Sequence, residues 1–182
     1  MPRLLTMLIA LALFVLSGCG SSSQPPKYEP QVNLTVQFTD TGWDGKVIPV
    51  DGRCRDCGGR GRSPRMRIGG LPAEANEVVV EFNDRRITDL AHNGGHGALG
   101  MPTGGQEEVV LPSVREETMS LPTGVRCVSK HRCVFYGHKP GAFKAPCGCG
   151  QGNDYWATVK AVRRDGEHIN VLARIEIPLG VF

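Results

Sequence analysis

Trp156-Ala157-Thr158-Val159-Lys160-Ala161-Val162 is followed, after the polar link Arg163-Arg164-Asp165-Gly166-Glu167, by Ile169-Asn170-Val171-Leu172-Ala173-Arg174-Ile175-Glu176-Ile177. The second run sets apolar residues at every other position, the spacing that turns one face of a strand to a core. The link is short and polar and suits a hairpin turn. Outward from this pair, the same kind of segment recurs at Val32-Asn33-Leu34-Thr35-Val36-Gln37-Phe38, Val78-Val79-Val80-Glu81-Phe82 and Val109-Val110-Leu111. Gly, Pro and Asp clusters separate these segments, and the chain holds 24 Gly and 13 Pro. Helical periodicity is nearly absent. The pattern predicts a mostly-β domain with long loops, a sandwich or a barrel, over residues 32–182. That length suits a single domain with a core of its own.

The N-terminus reads differently. Arg3 precedes an unbroken apolar run from Leu8 to Leu16, which ends in Leu16-Ser17-Gly18-Cys19. A basic start, a short apolar stretch and small residues before a cut make a secretory signal. The Leu-Ser-Gly-Cys ending resembles the bacterial lipobox, which implies cleavage before Cys19 and lipid on that cysteine. Residues 1–18 are read as the signal peptide, and residues 19–31 as the lipidated Cys19 with a Ser- and Pro-rich tether. The membrane is therefore the expected partner, through acyl chains whose hold strengthens with each buried methylene. The expected address is the bacterial cell envelope. Gly20 in place of Asp favours the outer membrane, facing the periplasm. The formal net charge is +3, and processing would remove only Arg3 from the charged groups. Neither balance nor address suits a nucleic-acid binder.

Six cysteines remain beyond Cys19: Cys54, Cys57, Cys127, Cys133, Cys147 and Cys149. An even count in an oxidising compartment predicts disulfides, and six cysteines permit about 15 pairings. Cys127 and Cys133 can close a small loop. A bridge within the C-x-C of Cys147 and Cys149 would be strained, which favours cross-pairing with the C-x2-C of Cys54 and Cys57. The alternative is a zinc site of four thiolates from Cys54, Cys57, Cys147 and Cys149.

His92-Asn93-Gly94-Gly95-His96-Gly97 places two histidines in a glycine loop near Asp84. Such a loop can hold a ligand or, as an open site, a metal. Arg53, Arg55, Arg60, Arg62, Arg65 and Arg67 crowd one short stretch. Guanidinium forks suit phosphate and carboxylate, so an anionic small ligand or a lipid head group is a candidate partner. There is no G-x-S-x-G, H-E-x-x-H or phosphate-loop motif, and no cofactor is indicated.

Several segments, in order, resemble the phosphatidylethanolamine-binding protein family, whose bacterial members are called Raf-kinase-inhibitor-like. They are Gly61-Arg62-Ser63-Pro64-Arg65-Met66-Arg67-Ile68-Gly69-Gly70-Leu71-Pro72-Ala73-Glu74-Ala75, Val78-Val79-Val80-Glu81-Phe82-Asn83-Asp84, His96, Leu121-Pro122-Thr123-Gly124, Pro146-Cys147 with Tyr155, and Val171-Leu172-Ala173-Arg174-Ile175-Glu176-Ile177-Pro178-Leu179-Gly180. The resemblance implies a β-sandwich with few helices and an anion pocket among the family's Asp-Pro-Asp, His-Trp and Gly-x-His-Arg segments. This chain has Asn83-Asp84-Arg85-Arg86 at the first, His96-Gly97 at the second and Asn153-Asp154 in place of the His-Arg pair. The helix before the closing strand has no counterpart here.

Together these readings predict a non-catalytic envelope lipoprotein. Its disulfide-braced loops would bind a small polar or anionic ligand, or a protein partner. The candidate ligand-binding residues are Asp84, His92, His96, Tyr136, Asn153, Asp154 and Tyr155, and loops 52–67, 84–102 and 136–154 would form the rim. A zinc protein using the four clustered cysteines or His92 and His96 is the alternative. A hydrolase using Asp84 and His96 as an acid–base pair is the second.

Overall fold

Short β-branched segments with alternating burial leave the chain one economical solution, which is to pack two sheets face to face. A computed structural model describes residues 33–182. The expected signal peptide (1–18) and the expected lipidated Cys19 with its tether (19–31) lie outside the described residues. Eight strands follow in order: β1 (Thr35–Phe38), β2 (Met66–Gly69), β3 (Glu77–Asp84), β4 (Ala98–Pro102), β5 (Glu108–Leu111), β6 (Arg126–Ser129), β7 (Asp154–Asp165) and β8 (His168–Val181). They form a three-stranded sheet, β1-β2-β5, and a five-stranded sheet, β6-β4-β3-β7-β8. All ladders are antiparallel. The helical segments among the described residues are 3-10 turns of three or four residues.

Met66, Ile68, Val109 and Leu111 of the small sheet meet Val78, Val80, Phe82, Leu99, Ala157, Val159 and Ala161 of the large one in a shared buried core. This is the mostly-β sandwich that the sequence predicts. β3 is buried almost throughout, yet its two faces differ in role. Val78, Val80 and Phe82 enter the core, while Glu81 on the opposite face binds Lys160 at 2.6 Å. Asp84 continues the inward set and carries it to the end of the strand.

β7 and β8 form the expected hairpin, longer than the apolar runs alone suggest, with Asp165 paired to His168. Gly166 turns the link at φ 63°. β4 and β6 are strands that apolar patterning misses. Ala-Leu-Gly-Met-Pro and Arg-Cys-Val-Ser are too short and mixed to show a period, and their place in the sheet comes from β3 beside them.

Two disulfides join Cys54 to Cys147 and Cys57 to Cys149, each with a Cα–Cα distance of 5.2 Å. The two cysteine clusters therefore cross-pair, which removes the thiolates that the zinc alternative requires. Cys127 and Cys133 correct the expectation of a third bridge, for both are free thiols. Cys127 is held in β6 opposite Leu99 of β4. Cys133 opens the 3-10 turn Cys133–Tyr136 and is buried with its sulfur 3.8 Å from the Gly95 carbonyl. Among the described residues no helix is long and apolar enough to cross a membrane.

Candidate functional site

The end of β3 and the start of β7 build the site. Asp84 and Tyr155 are register partners across these strands, so their side chains leave the sheet on the same side. Both are almost fully buried. A β3 residue on the other face, Asn83, orders the glycine loop that follows: its Oδ1 accepts from the Gly94 N–H at 3.0 Å. The His96 N–H donates to the Phe82 carbonyl, and the His96 carbonyl accepts from the Lys144 N–H, both at 2.9 Å. The chain passes so close to residue 142 at this point that a Cβ on Gly97 would sit 2.1 Å from the Ala142 oxygen. Glycine is required there, and with it His96 is fixed.

These elements enclose a cavity of about 160 Å³ lined by Asp84, Ile87, Leu90, His96, Cys133, Tyr136, His138, Cys147, Asn153 and Tyr155. The Asp84 carboxylate accepts from Asn153 Nδ2 at 2.6 Å and from the Arg86 N–H at 2.9 Å. His96 Nδ1 lies 2.9 Å from the Lys144 carbonyl oxygen. A carbonyl only accepts, so Nδ1 carries the hydrogen and Nε2 holds a lone pair. That Nε2 is buried without a protein partner. Burial holds the imidazole at a pKa of about 4, so it is neutral at pH 7. Tyr155 stacks edge-on against the His96 ring at 5.4 Å, and its hydroxyl accepts from the Cys147 N–H at 3.1 Å. Burial raises the Tyr155 hydroxyl pKa and pushes the Cys133 thiol up to about 12, so both stay protonated.

Of the residues expected to bind ligand, Asp84, His96, Asn153 and Tyr155 come together in the cavity wall, and Tyr136 stands half-exposed at its rim. His92 and Asp154 do not join them. His92 lines a separate polar groove on the outer face of the large sheet, with Trp156, Arg85 and Glu176. Asp154 pairs in the sheet with Val181, and its carbonyl accepts from the Arg85 N–H. His92 and His96 thus serve different surfaces. Asp84 and His96 share the cavity, yet each is hydrogen-bonded to other groups: Asp84 to Asn153 and Arg86, His96 to Lys144.

A buried ionic cluster beside the cavity was not visible in the sequence. Lys144 Nζ lies 2.9 Å from both Glu116 Oε2 and Glu117 Oε1, and 3.6 Å from Asp56. Arg55 joins through Glu116 at 3.2 Å, and His138 Nδ1 is 3.4 Å from Asp56. Lys144 and Glu116 are each only about 1% exposed at the side chain. The one signal that pointed to this cluster is a lone lysine among small and apolar residues in Gly141-Ala142-Phe143-Lys144-Ala145-Pro146. The arginine-rich stretch is partly occupied within the molecule. Arg55 binds the glutamates, Arg60 binds Asp51, Arg67 binds Glu108, and Arg53 lies over the Phe182 ring.

No protein-family model and no curated protein matches the chain. Among solved structures, Escherichia coli YbcL, described as a new member of the mammalian PEBP family, matches with a TM-score of 0.56 and 17% sequence identity. The match covers 82% of this chain and 97% of that one. The chain has the phosphatidylethanolamine-binding fold. At this identity the likeness is one of architecture. Within that PEBP-like fold, Asp84, His96 and Asn153 come to one cavity.

Proposed function

We propose that the protein is a lipid-anchored envelope protein whose PEBP-like sandwich binds a small polar ligand in the Asp84–His96–Asn153–Tyr155 cavity without transforming it. The observation that carries this proposal is the unpartnered His96 Nε2, buried in the wall of a preformed cavity. A polar atom kept out of water without a partner is costly, and a bound molecule relieves that cost. The protonated Cys133 and Tyr155 support binding over chemistry, since neither is poised as a nucleophile. Ser63 supports it too, because its hydroxyl is buried and accepts from the Val114 N–H at 2.9 Å.

The test is a ligand-observed NMR screen of small polar compounds against the full chain in detergent, with His96→Phe as comparator. Compounds whose signals broaden with the native protein and not with the variant support the proposal. A screen in which every hit behaves alike with both proteins rejects it. Anchoring is tested separately by incorporation of labelled palmitate in a bacterial host, which Cys19→Ser should abolish.

A further inference from the structure

We infer that the cavity selects a hydrogen-bond donor, and best a small primary ammonium, rather than an anion. This inference rests on the cavity being a ligand site and names the class of molecule it takes. The buried polar side-chain atoms that the cavity lining leaves without a partner are acceptors. Asn153 donates one of its two amide N–H groups to Asp84, and its Oδ1 is buried without a partner. His96 spends its N–H on the Lys144 carbonyl, which leaves the Nε2 lone pair, also buried without a partner. Each Asp84 oxygen accepts one hydrogen bond, from Asn153 or from Arg86, and a carboxylate oxygen has room for a second. Cys133 directs its thiol to the Gly95 carbonyl.

The nearby cations are committed elsewhere. Lys144 Nζ faces Glu116, Glu117 and Asp56, and the Arg86 guanidinium binds the Gln151 carbonyl. His138, also in the lining, turns its Nδ1 to Asp56 and Glu117. An anion entering here would meet the Asp84 carboxylate and two further acceptors, and the donors in the wall, the Tyr155 O–H and the second Asn153 N–H, are neutral and bring no charge to offset that repulsion. An ammonium brings three donors and a positive charge to the same set, namely Asp84, Asn153 Oδ1 and His96 Nε2. Ile87 and Leu90 supply apolar wall for a short alkyl stem. The arrangement inverts the anion pocket that the family resemblance implies.

The experiment titrates the full chain in detergent with propylammonium chloride and, separately, with sodium phosphate at matched ionic strength and pH 7.5. The readout is the Asn153 side-chain amide in 15N-correlation spectra. This reporter needs no mutation. Expected is a saturable shift with propylammonium that weakens about tenfold or more in Asp84→Asn, the size of one lost charged hydrogen bond, and no saturable shift with phosphate. A saturable shift with phosphate and none with propylammonium would overturn the ligand class while leaving the cavity as a binding site. If neither probe moves the signal, both the ligand class and the binding site fall.

Discussion

His96 and Lys144 illustrate two ways of keeping a titratable group dry. His96 is neutral because burial disfavours its charged form, with Asp84, Lys144 and His131 as its charged and titratable neighbours. Its folded-state pKa of about 4 lies below the ordinary 6.5. Between those values the unfolded chain binds the proton that the folded one refuses. The stabilisation is therefore complete above pH 6.5 and drains away as the pH falls toward 4, by on the order of 2–3 kcal/mol. His131 is depressed by its own burial and acts in the same direction, so the measurement is a difference. Urea unfolding at pH 7 and pH 4.5 should show a smaller pH loss in His96→Gln than in the native protein. Lys144 instead keeps its charge because Glu116 and Glu117 surround it, and this raises its pKa against the opposing effect of burial. Lys144→Met leaves those carboxylates without their buried partner and should cost about 3–5 kcal/mol. The triple variant Lys144→Met, Glu116→Gln, Glu117→Gln should regain part of that loss. Five of the seven candidate ligand residues line the cavity and were legible in the sequence, at strand ends or in the loops. His138, Cys133, Ile87 and Leu90 were not, because their shared cavity is a product of how distant loops fold back.

At the scale of elements, parity did most of the specifying. The alternation in the second half of β8 marks which residues face inward, and the polar link between β7 and β8 marks the hairpin. β4 and β6 were illegible for the opposite reason. They are four or five residues long and are strands because β3 offers hydrogen bonds, not because their own side chains demand it. Two glycines separate the hairpin from the site. A Cβ on Gly166 meets nothing within 4 Å, so Gly166→Ala carries only the backbone penalty of a left-handed residue, about 1–2 kcal/mol. The urea midpoint should fall with an unchanged slope. Gly97→Ala adds a collision with the Ala142 carbonyl and should cost more than Gly166→Ala in the same assay.

For the molecule as a whole, the disulfides matter through their nesting. Their sequence separations are 93 and 92 residues, and they close nearly the same loop. While one bridge stands, the other constrains only the few residues between them. Single removals, Cys54→Ser with Cys147→Ser or Cys57→Ser with Cys149→Ser, should each cost about 2 kcal/mol in the chain-entropy view. Removing both should cost about 6–7 kcal/mol, well above the sum, because a long loop is then freed. A double loss equal to the sum of the single losses in thermal or urea unfolding would reject that account. Spacing made the cross-pairing legible, since a C-x-C cannot easily close on itself. It misled for Cys127 and Cys133, because closeness in sequence says nothing of side-chain direction once one residue is held in a strand and the other is buried in a turn.

The same two bridges bracket the chain from Gly58 to Pro146, which contains β2 through β6. A protease that cuts any exposed loop in that interval opens the backbone and releases nothing. Both pieces stay tied at residues 54–57 and 147–149, and β3 stays zipped to β7. The nicked molecule weighs one water more than the intact one and keeps its cavity wall at Cys147. Durability to scission is thus written into the covalent topology, apart from the depth of the folding well.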